Sequence, residues 1–216
     1  MSQKNAIVLD SDARLTVYAI AAAASAAMVS SASATIIYSG PQNISIPSSQ
    51  SQSIDLDLNG IDDIKLENYV FGNGPYQGVA VNFNPGQVVG FVSGFYVYAK
   101  NMTVGDIVGP ASVGPSFTGV MAYGANEPNA QFQNVTDGLV GFSFPSVANT
   151  DFGWVRVDVD DANSTFVIKD WAFDDSGAPI GAGIVPEPAS LGLLALGAAG
   201  LACYRGQRKS SIISSQ

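Results

Sequence analysis

The chain has 216 residues, no histidine, a single cysteine and a formal net charge of −9 at pH 7. Without histidine it cannot form a Ser-His-Asp or Cys-His catalytic triad, and it lacks the commonest zinc ligand. Its acidic balance excludes nucleic acid as a partner, because affinity for phosphates depends on Lys and Arg.

The N-terminal segment 1–34 is predicted to be a signal peptide. Two basic residues precede an apolar, alanine-rich stretch over 15–29, which we expect to form the signal helix. Ala32 and Ala34 supply the small-residue pattern that signal peptidase requires, so we expect cleavage after Ala34. Two acidic residues before the apolar stretch leave an uncleaved anchor as the alternative.

The body, 35–184, is predicted to be one all-β domain. It carries fifteen acidic residues against four basic ones, so its net charge is −11. Short segments rich in Val, Ile, Phe and Tyr alternate with Gly and Pro, which favours a single antiparallel β-sandwich of jelly-roll type. The nine candidate strands are 35–38, 54–58, 64–71, 79–83, 95–99, 119–123, 138–144, 153–159 and 166–173.

An acidic segment, 55–63, is similar to the front half of an EF-hand calcium loop. Oxygen-bearing side chains stand at loop positions 1, 3, 5 and 9, with glycine at position 6, but position 12 is Leu66 instead of glutamate. Ca²⁺ is therefore the predicted cofactor, and an acidic hairpin turn without a metal is the alternative, since Asn-Gly favours such turns. The predicted ligands are the side chains of Asp55, Asp57, Asn59 and Asp63 and the carbonyl of Ile61.

A hairpin is predicted near the end of the body. Apolar and polar residues alternate over 153–159, the turn-forming segment 160–164 follows, and 166–173 returns as the partner strand. A second group of acidic residues, at 158, 160, 161, 174 and 175, lies in or beside these turns. We expect its members to be solvated turn residues, because aspartate favours turns through local hydrogen bonds.

The segment 185–209 has three parts in order. Pro186, Glu187 and Pro188 precede an uncharged apolar run over 189–204, and a basic tail follows. We expect a transmembrane helix of about 24 Å, which is shorter than the roughly 30 Å hydrocarbon core and suits transient passage through the inner membrane. A lasting single-span anchor is the alternative. The basic residues, which orient the helix with its tail in the cytoplasm, are Arg205, Arg208 and Lys209.

These three parts resemble the PEP-CTERM sorting signal of exported bacterial proteins. The resemblance implies that an exosortase, a membrane protease-transpeptidase, recognises and cuts the chain. Segments 152–156, 169–173 and 177–183 are similar to the ending of one group of PEP-CTERM proteins. The resemblance also implies delivery to the cell surface or the extracellular space, and leaves 210–216 as a polar tail.

Three function classes stay open for the body. We favour a non-catalytic surface or extracellular-matrix protein that is associated with exopolysaccharide, and we predict no catalytic residue. A carbohydrate-binding module is the second class, and it requires exposed aromatic residues on one sheet face. A secreted glycosidase is the third, and it requires two carboxylates about 5 to 10 Å apart in a cleft. The aromatic candidates for stacking on sugars are Tyr69, Phe71, Tyr76, Tyr96, Tyr98 and Trp171.

Overall fold

The computed structural model describes residues 36–72, 74–82, 85–124, 127–146, 149–185 and 197–198. The predicted signal helix lies outside these residues, and so does the predicted transmembrane helix apart from 197–198. Among the described residues, no helix has the length and apolar character needed to cross a membrane. Both predicted terminal helices, and the domain boundaries drawn from them, stay predictions.

The described body is built from β-strands, so the predicted all-β class is confirmed. The strands are β1 (Ile36–Tyr38), β2 (Ile44–Ile46), β3 (Gln50–Ile54), β4 (Ile64–Phe71), β5 (Gly74–Val81), β6 (Gln87–Ser93), β7 (Tyr96–Ala99), β8 (Ile107–Val108), β9 (Pro115–Ser116), β10 (Thr118–Tyr123), β11 (Val135–Pro145), β12 (Thr150–Asp160), β13 (Thr165–Asp174) and β14 (Ile180–Gly181).

One predicted strand, 54–58, is wrong. The ladder between β3 and β4 ends at the pair Ile54 and Ile64, and the chain then forms a loop. Ile54 and Leu56 are buried as the alternating pattern suggests, but Leu58 is 85% exposed. The backbone N–H of Leu56 donates to the side chain of Asp63. Asp55 and Asp57 accept hydrogen bonds from the backbone N–H groups just after the segment, so a local turn replaces strand pairing.

Twelve of the strands form one sheet, in the order β1-β13-β12-β11-β6-β7-β10-β5-β4-β3, with β2 beside β13 and β9 beside β6. β8 and β14 form a separate two-stranded sheet. β10 lies parallel to β7, with Val120 opposite Tyr98, so the large sheet is mixed and the prediction of a purely antiparallel body is wrong at this pair. The jelly-roll connectivity stays a prediction.

The large sheet curls into a half-barrel. Leu66 of β4 and Val157 of β12 are far apart in the strand order, yet both belong to one buried core. Across the opening, the side-chain amide of Asn68 donates hydrogen bonds to the carbonyls of Ile46 and Ser164, both at 2.8 Å. This bridge joins β4 to β2 and to the turn between β12 and β13, so distant parts of the sheet enclose a common interior.

The predicted hairpin near the end of the body is confirmed. β12 pairs with β13 in antiparallel register, with Val155 opposite Trp171 and a register shift after Arg156. Alternate residues of β12 pack into two different hydrophobic cores. Val155 faces the half-barrel interior, whereas Trp154 packs into a second core with residues of β8 and β14. The strand is therefore buried on both sides over 151–155, whereas Arg156, Asp158 and Asp160 farther along it are partly exposed.

Candidate cation site

The acidic loop 55–63 connects β3 to β4 at one end of the half-barrel. Gly60 has a φ of 90°, a conformation that favours glycine and lets the loop turn sharply. The carboxylate of Asp55 accepts hydrogen bonds from the backbone N–H groups of Asn59, at 3.1 Å, and Gly60, at 2.8 Å. Asp57 accepts another from Asn59 at 3.2 Å. The loop thus winds around its own first two aspartates.

The fold brings a third aspartate to these two. Carboxylate oxygens of Asp55, Asp57 and Asp63 lie within 4.8 Å of one another. Among the ion pairs formed by the described residues, none involves these three side chains. Like charges this close repel, and either protonation of one carboxylate or a bound cation would relieve the repulsion.

Asp63 is the buried member of the cluster, with only 1% of its surface exposed. Its Oδ2 accepts a hydrogen bond from the backbone N–H of Leu56 at 2.8 Å, whereas its Oδ1 is buried and has no hydrogen-bond partner among the described residues. Burial, assisted by the negative charges of Asp57 and Asp55, raises the pKa of Asp63 to about 6. An unpaired buried carboxylate oxygen is costly unless a counter-charge reaches it.

The backbone of Asp63 is fixed by neighbouring strands. Its N–H donates to the carbonyl of Ile54 at 2.9 Å, and its carbonyl accepts from the N–H of Asn82, just beyond β5, at 2.7 Å. Asn82 was not predicted from the sequence, because it lies far from the loop along the chain. A cleft of about 380 Å³ opens beside the loop, and its lining residues are Asn59, Ile61, Asn82, Pro145 and Ser146.

The two remaining predicted ligands occupy the rim of the loop. The side chain of Asn59 is engaged locally, since its Nδ2 donates to Asp57 at 2.9 Å and its Oδ1 accepts from the N–H of Ile61 at 2.8 Å. Ile61 is 58% exposed. The structure therefore gathers three of the five predicted ligands as a carboxylate cluster. Metal ligation by Asn59 and by the Ile61 carbonyl stays a prediction.

The second acidic group does not gather into one site. Asp158 pairs with Lys169 at 3.1 Å, and Asp160 accepts two hydrogen bonds from Asn163 in the hairpin turn. Asp174 accepts hydrogen bonds from the backbone and side chain of Ser176. The prediction that all members of this group are solvated is wrong for Asp161 and Asp174, which are buried with 8% and 3% of their surfaces exposed. Asp160 and Asp174 have the local partners that turn-forming aspartates commonly use.

Aromatic rings cover part of the outer face of the large sheet. Tyr76 of β5 stands directly opposite Tyr69 on one side and Tyr123 on the other. The rings of Phe71, Tyr76 and Tyr123 are 5.4 to 6.1 Å apart, and Phe71 is half exposed. A second group continues along the face at β6 and β7, where its members are Phe91, Tyr96 and Tyr98.

The members of this second group differ in burial. Tyr98 is buried, and its hydroxyl donates a hydrogen bond to Glu127. Tyr96 is 39% exposed. Trp171, also predicted to be available for stacking, packs against the main core instead. Of the rings predicted to stack on sugars, the exposed ones are therefore Phe71 of β4 and Tyr96 of β7.

The other predicted functional residues lie outside the described part of the chain. They are Ala32 and Ala34 of the signal peptidase site, Pro186, Glu187 and Pro188 of the sorting motif, and Arg205, Arg208 and Lys209 of the basic tail.

Comparison with known proteins agrees with the predicted sorting signal. The family model of the PEP-CTERM protein-sorting motif matches residues 185–209. No curated protein and no solved structure matches the chain. The matched segment contains the Pro-Glu-Pro sequence, the apolar run and the basic residues on which the prediction was based. The chain is thus identified as a protein with a PEP-CTERM sorting motif, which supports export and processing by an exosortase.

Proposed function

We propose that this protein is a non-catalytic component of the cell surface or extracellular matrix, with a β-body stabilised by Ca²⁺ at the loop 55–63. The observation that carries the proposal is the sorting motif at 185–209, because it defines a route out of the cell. The acidic body agrees with an extracellular role in which cations and polysaccharide are its partners. Without histidine or a body cysteine, the chain offers few groups for catalysis.

Calcium is supported by the chemistry of the loop. Ca²⁺ binds six to eight oxygen ligands, and extracellular sites commonly work at about 10⁻⁴ to 10⁻³ M of the ion. Asp55, Asp57 and Asp63 offer clustered carboxylate oxygens, one of them buried without a partner. The side chain of Asn59, the carbonyl of Ile61 and water would complete the coordination. Bound Ca²⁺ would also remove the repulsion within the cluster.

Thermal melting of the exported protein tests the calcium site. At a Ca²⁺ concentration about 100 times the dissociation constant, binding adds about 2.7 kcal/mol to the free energy of unfolding, which corresponds to roughly 5 to 10 °C in Tm for a domain of this size. We expect this rise in wild type and in Asp62→Asn, a neighbouring residue outside the cluster, and no rise in Asp63→Asn. Equal melting of the wild type in Ca²⁺ and in EDTA would refute the site.

Mass spectrometry of cell-surface and secreted fractions tests the sorting route. We expect C-terminal peptides that end near Pro186 and the absence of the basic tail containing Arg205 and Lys209. A Glu187→Ala variant keeps the apolar run and the tail, so it should remain unprocessed at the membrane. Recovery of the mature wild-type protein with an intact C-terminus would contradict processing.

The aromatic face supports a second candidate function, carbohydrate binding. Exposed rings on one sheet face can stack on sugar rings, and Phe71 and Tyr96 present such surfaces. We expect Phe71→Ala to weaken binding of the host's purified exopolysaccharide in titration calorimetry. Phe117→Ala, which removes an exposed aromatic side chain outside this set, should leave the affinity unchanged. Equal affinities for both variants and wild type would exclude this face as the binding surface.

A further inference from the structure

The body is joined to the sorting motif without a spacer. β14 pairs with β8, and Ala182 continues the contact by donating to the carbonyl of Asp106 at 2.8 Å and accepting from the N–H of Gly105 at 2.9 Å. The N–H of Ile184 then donates to the carbonyl of Gly181 at 3.1 Å. The match to the sorting motif begins at the next residue. The chain is therefore hydrogen-bonded to another part of the body as far as Ala182, and a turn closed by Ile184 leads directly to the start of the motif.

Covalent geometry limits how far the motif extends from the body. An extended chain spans at most about 3.6 Å per residue, so Pro188 lies no more than about 15 Å from Ile184. An enzyme that engages Pro186, Glu187 and Pro188 must come within that distance of the surface formed by 103–108 and 180–185.

That surface is aliphatic. Val104 and Ile107 are 66% and 60% exposed, and Ile184 and Val185 are 43% and 37% exposed. The four residues surround one short stretch of backbone: Ile107 is opposite Gly181, and Ile184 packs over Gly181. Val104 lies beside Gly183, and its Cγ2 is 3.4 Å from the point that a Cβ atom on Gly183 would occupy. We call these four residues the exit patch.

We propose that the exit patch is a docking surface for the exosortase-type membrane enzyme that processes the sorting motif. The proposal rests on the sorting route proposed above. Docking at the patch would provide a second contact beside the motif and hold the Pro-Glu-Pro sequence in a defined position relative to the enzyme. Linking two contacts in this way raises the effective concentration of the second when the first has formed.

The chemistry of the patch favours a protein partner over the lipid surface. Proteins that rest on membranes commonly combine apolar residues with Lys and Arg, which are attracted to anionic headgroups. The body instead has a net charge of −11. Lys100, a basic residue near the patch, has Asp106 within 4.0 Å. Exposed aliphatic residues that are not surrounded by Lys and Arg are more typical of the apolar centre of a protein interface.

Processing kinetics of the full chain in the producing cells test the proposal. The double variant Val104→Ser/Ile107→Ser changes two patch residues about eighty positions before the motif, so the motif itself stays intact. We expect removal of the C-terminal tail to slow by about tenfold, the effect of truncating an interface hot spot. The matched control, Val92→Ser/Phe95→Ser, changes two exposed apolar residues of the β6 and β7 hairpin and should be processed at the wild-type rate.

A spacer separates docking from a folding defect. Eight Gly and Ser residues inserted between Ile184 and Val185 uncouple the body from the motif and leave the matched segment 185–209 intact. In this background we expect the patch variant and the unsubstituted chain to be processed equally. A patch variant processed at the wild-type rate without the spacer would overturn the proposal. Slower processing that persists with the spacer, or arises with a lowered melting temperature, would also overturn it.

Two further outcomes discriminate between explanations. If the tail of the wild type is never removed, the sorting route itself fails and the docking proposal falls with it. If the patch variant loses membrane association of the uncut precursor while its processing rate is unchanged, the patch contacts lipid and the proposed enzyme docking is wrong.

Discussion

Asp170 and Asp63 are both nearly inaccessible to solvent, with 5% and 1% of their surfaces exposed, but their surroundings differ. The carboxylate of Asp170 accepts two hydrogen bonds from the guanidinium of Arg156, at 2.9 and 2.7 Å, and one from the hydroxyl of Tyr38 at 3.0 Å. Asp63 has one backbone donor, one unpartnered oxygen and two acidic neighbours. The chain supplies a counter-charge to Asp170, whereas among the described residues no basic side chain forms an ion pair with Asp63.

The difference follows from where the two aspartates sit. Asp170 is on β13 directly opposite Arg156 on β12, so the strand register places an acid beside a base. The hydrogen bond to Asp170 raises the pKa of Arg156, and the guanidinium also lies 5.8 Å from the ring centre of Trp154. Asp63 ends a loop in which the other charged side chains are also acidic. The contrast is between a buried acid paired with a base of the same sheet and a buried acid that has acidic neighbours.

The largest expected effect comes from removing the base. Arg156→Met leaves Asp170 buried without its counter-charge and should lower the free energy of unfolding by about 3 kcal/mol at pH 7. Urea denaturation measures the change. Lys65→Met is the control, because the Lys65 and Glu67 pair is more exposed and should contribute at most about 1 kcal/mol. If both variants lost the same free energy of unfolding, burial of Asp170 would not explain the stabilising effect of its pair with Arg156.

The second-largest expected effect is a change of folding stability with pH in the absence of calcium. The pKa of Asp63 is about 6 in the folded protein and about 3.8 in the unfolded chain, so the folded state binds more protons between these values. Stability should therefore fall as pH rises from about 4 to about 6, by about 2 to 3 kcal/mol. Denaturation in EDTA measures it. Asp63→Asn should not show this fall in stability between pH 4 and pH 6. A pH profile identical to that of the wild type would contradict its assignment to Asp63.

A smaller effect is expected from the loop backbone. Gly60→Ala places a side chain at a φ of 90° where no atom lies within 4 Å, so its cost is conformational and amounts to about 1 to 2 kcal/mol. The rise of Tm with Ca²⁺ should also shrink, because the loop must adopt this turn to present its carboxylates. Gly72→Ala has equal space and no positive φ, and should be near neutral. Similar Tm values for both variants would show that the turn is not constrained.

The sequence was most informative where structure depends on local pattern. Alternation over 153–159 and 166–173 predicted the β12 and β13 hairpin, and the spacing of Asp55 and Asp57 predicted a loop lined with carboxylates. The same reasoning failed at 54–58, because the apolar alternation of that segment cannot reveal that the backbone N–H of Leu56 donates to the side chain of Asp63 instead of to a neighbouring strand. Short strands such as β8 and β14 were missed since two residues carry too little pattern.

The sequence by itself determined the sorting motif, the all-β class and the acidic loop, because each depends on residues that are close along the chain. The tertiary structure alone decided that the sheet curls, that β7 and β10 run parallel and that Asn68 bridges the opening. It also decided that Asp63 is buried against Asn82 with an unpaired oxygen. These features depend on contacts between residues distant in sequence, whose formation is governed by packing of the whole core and leaves no local signature.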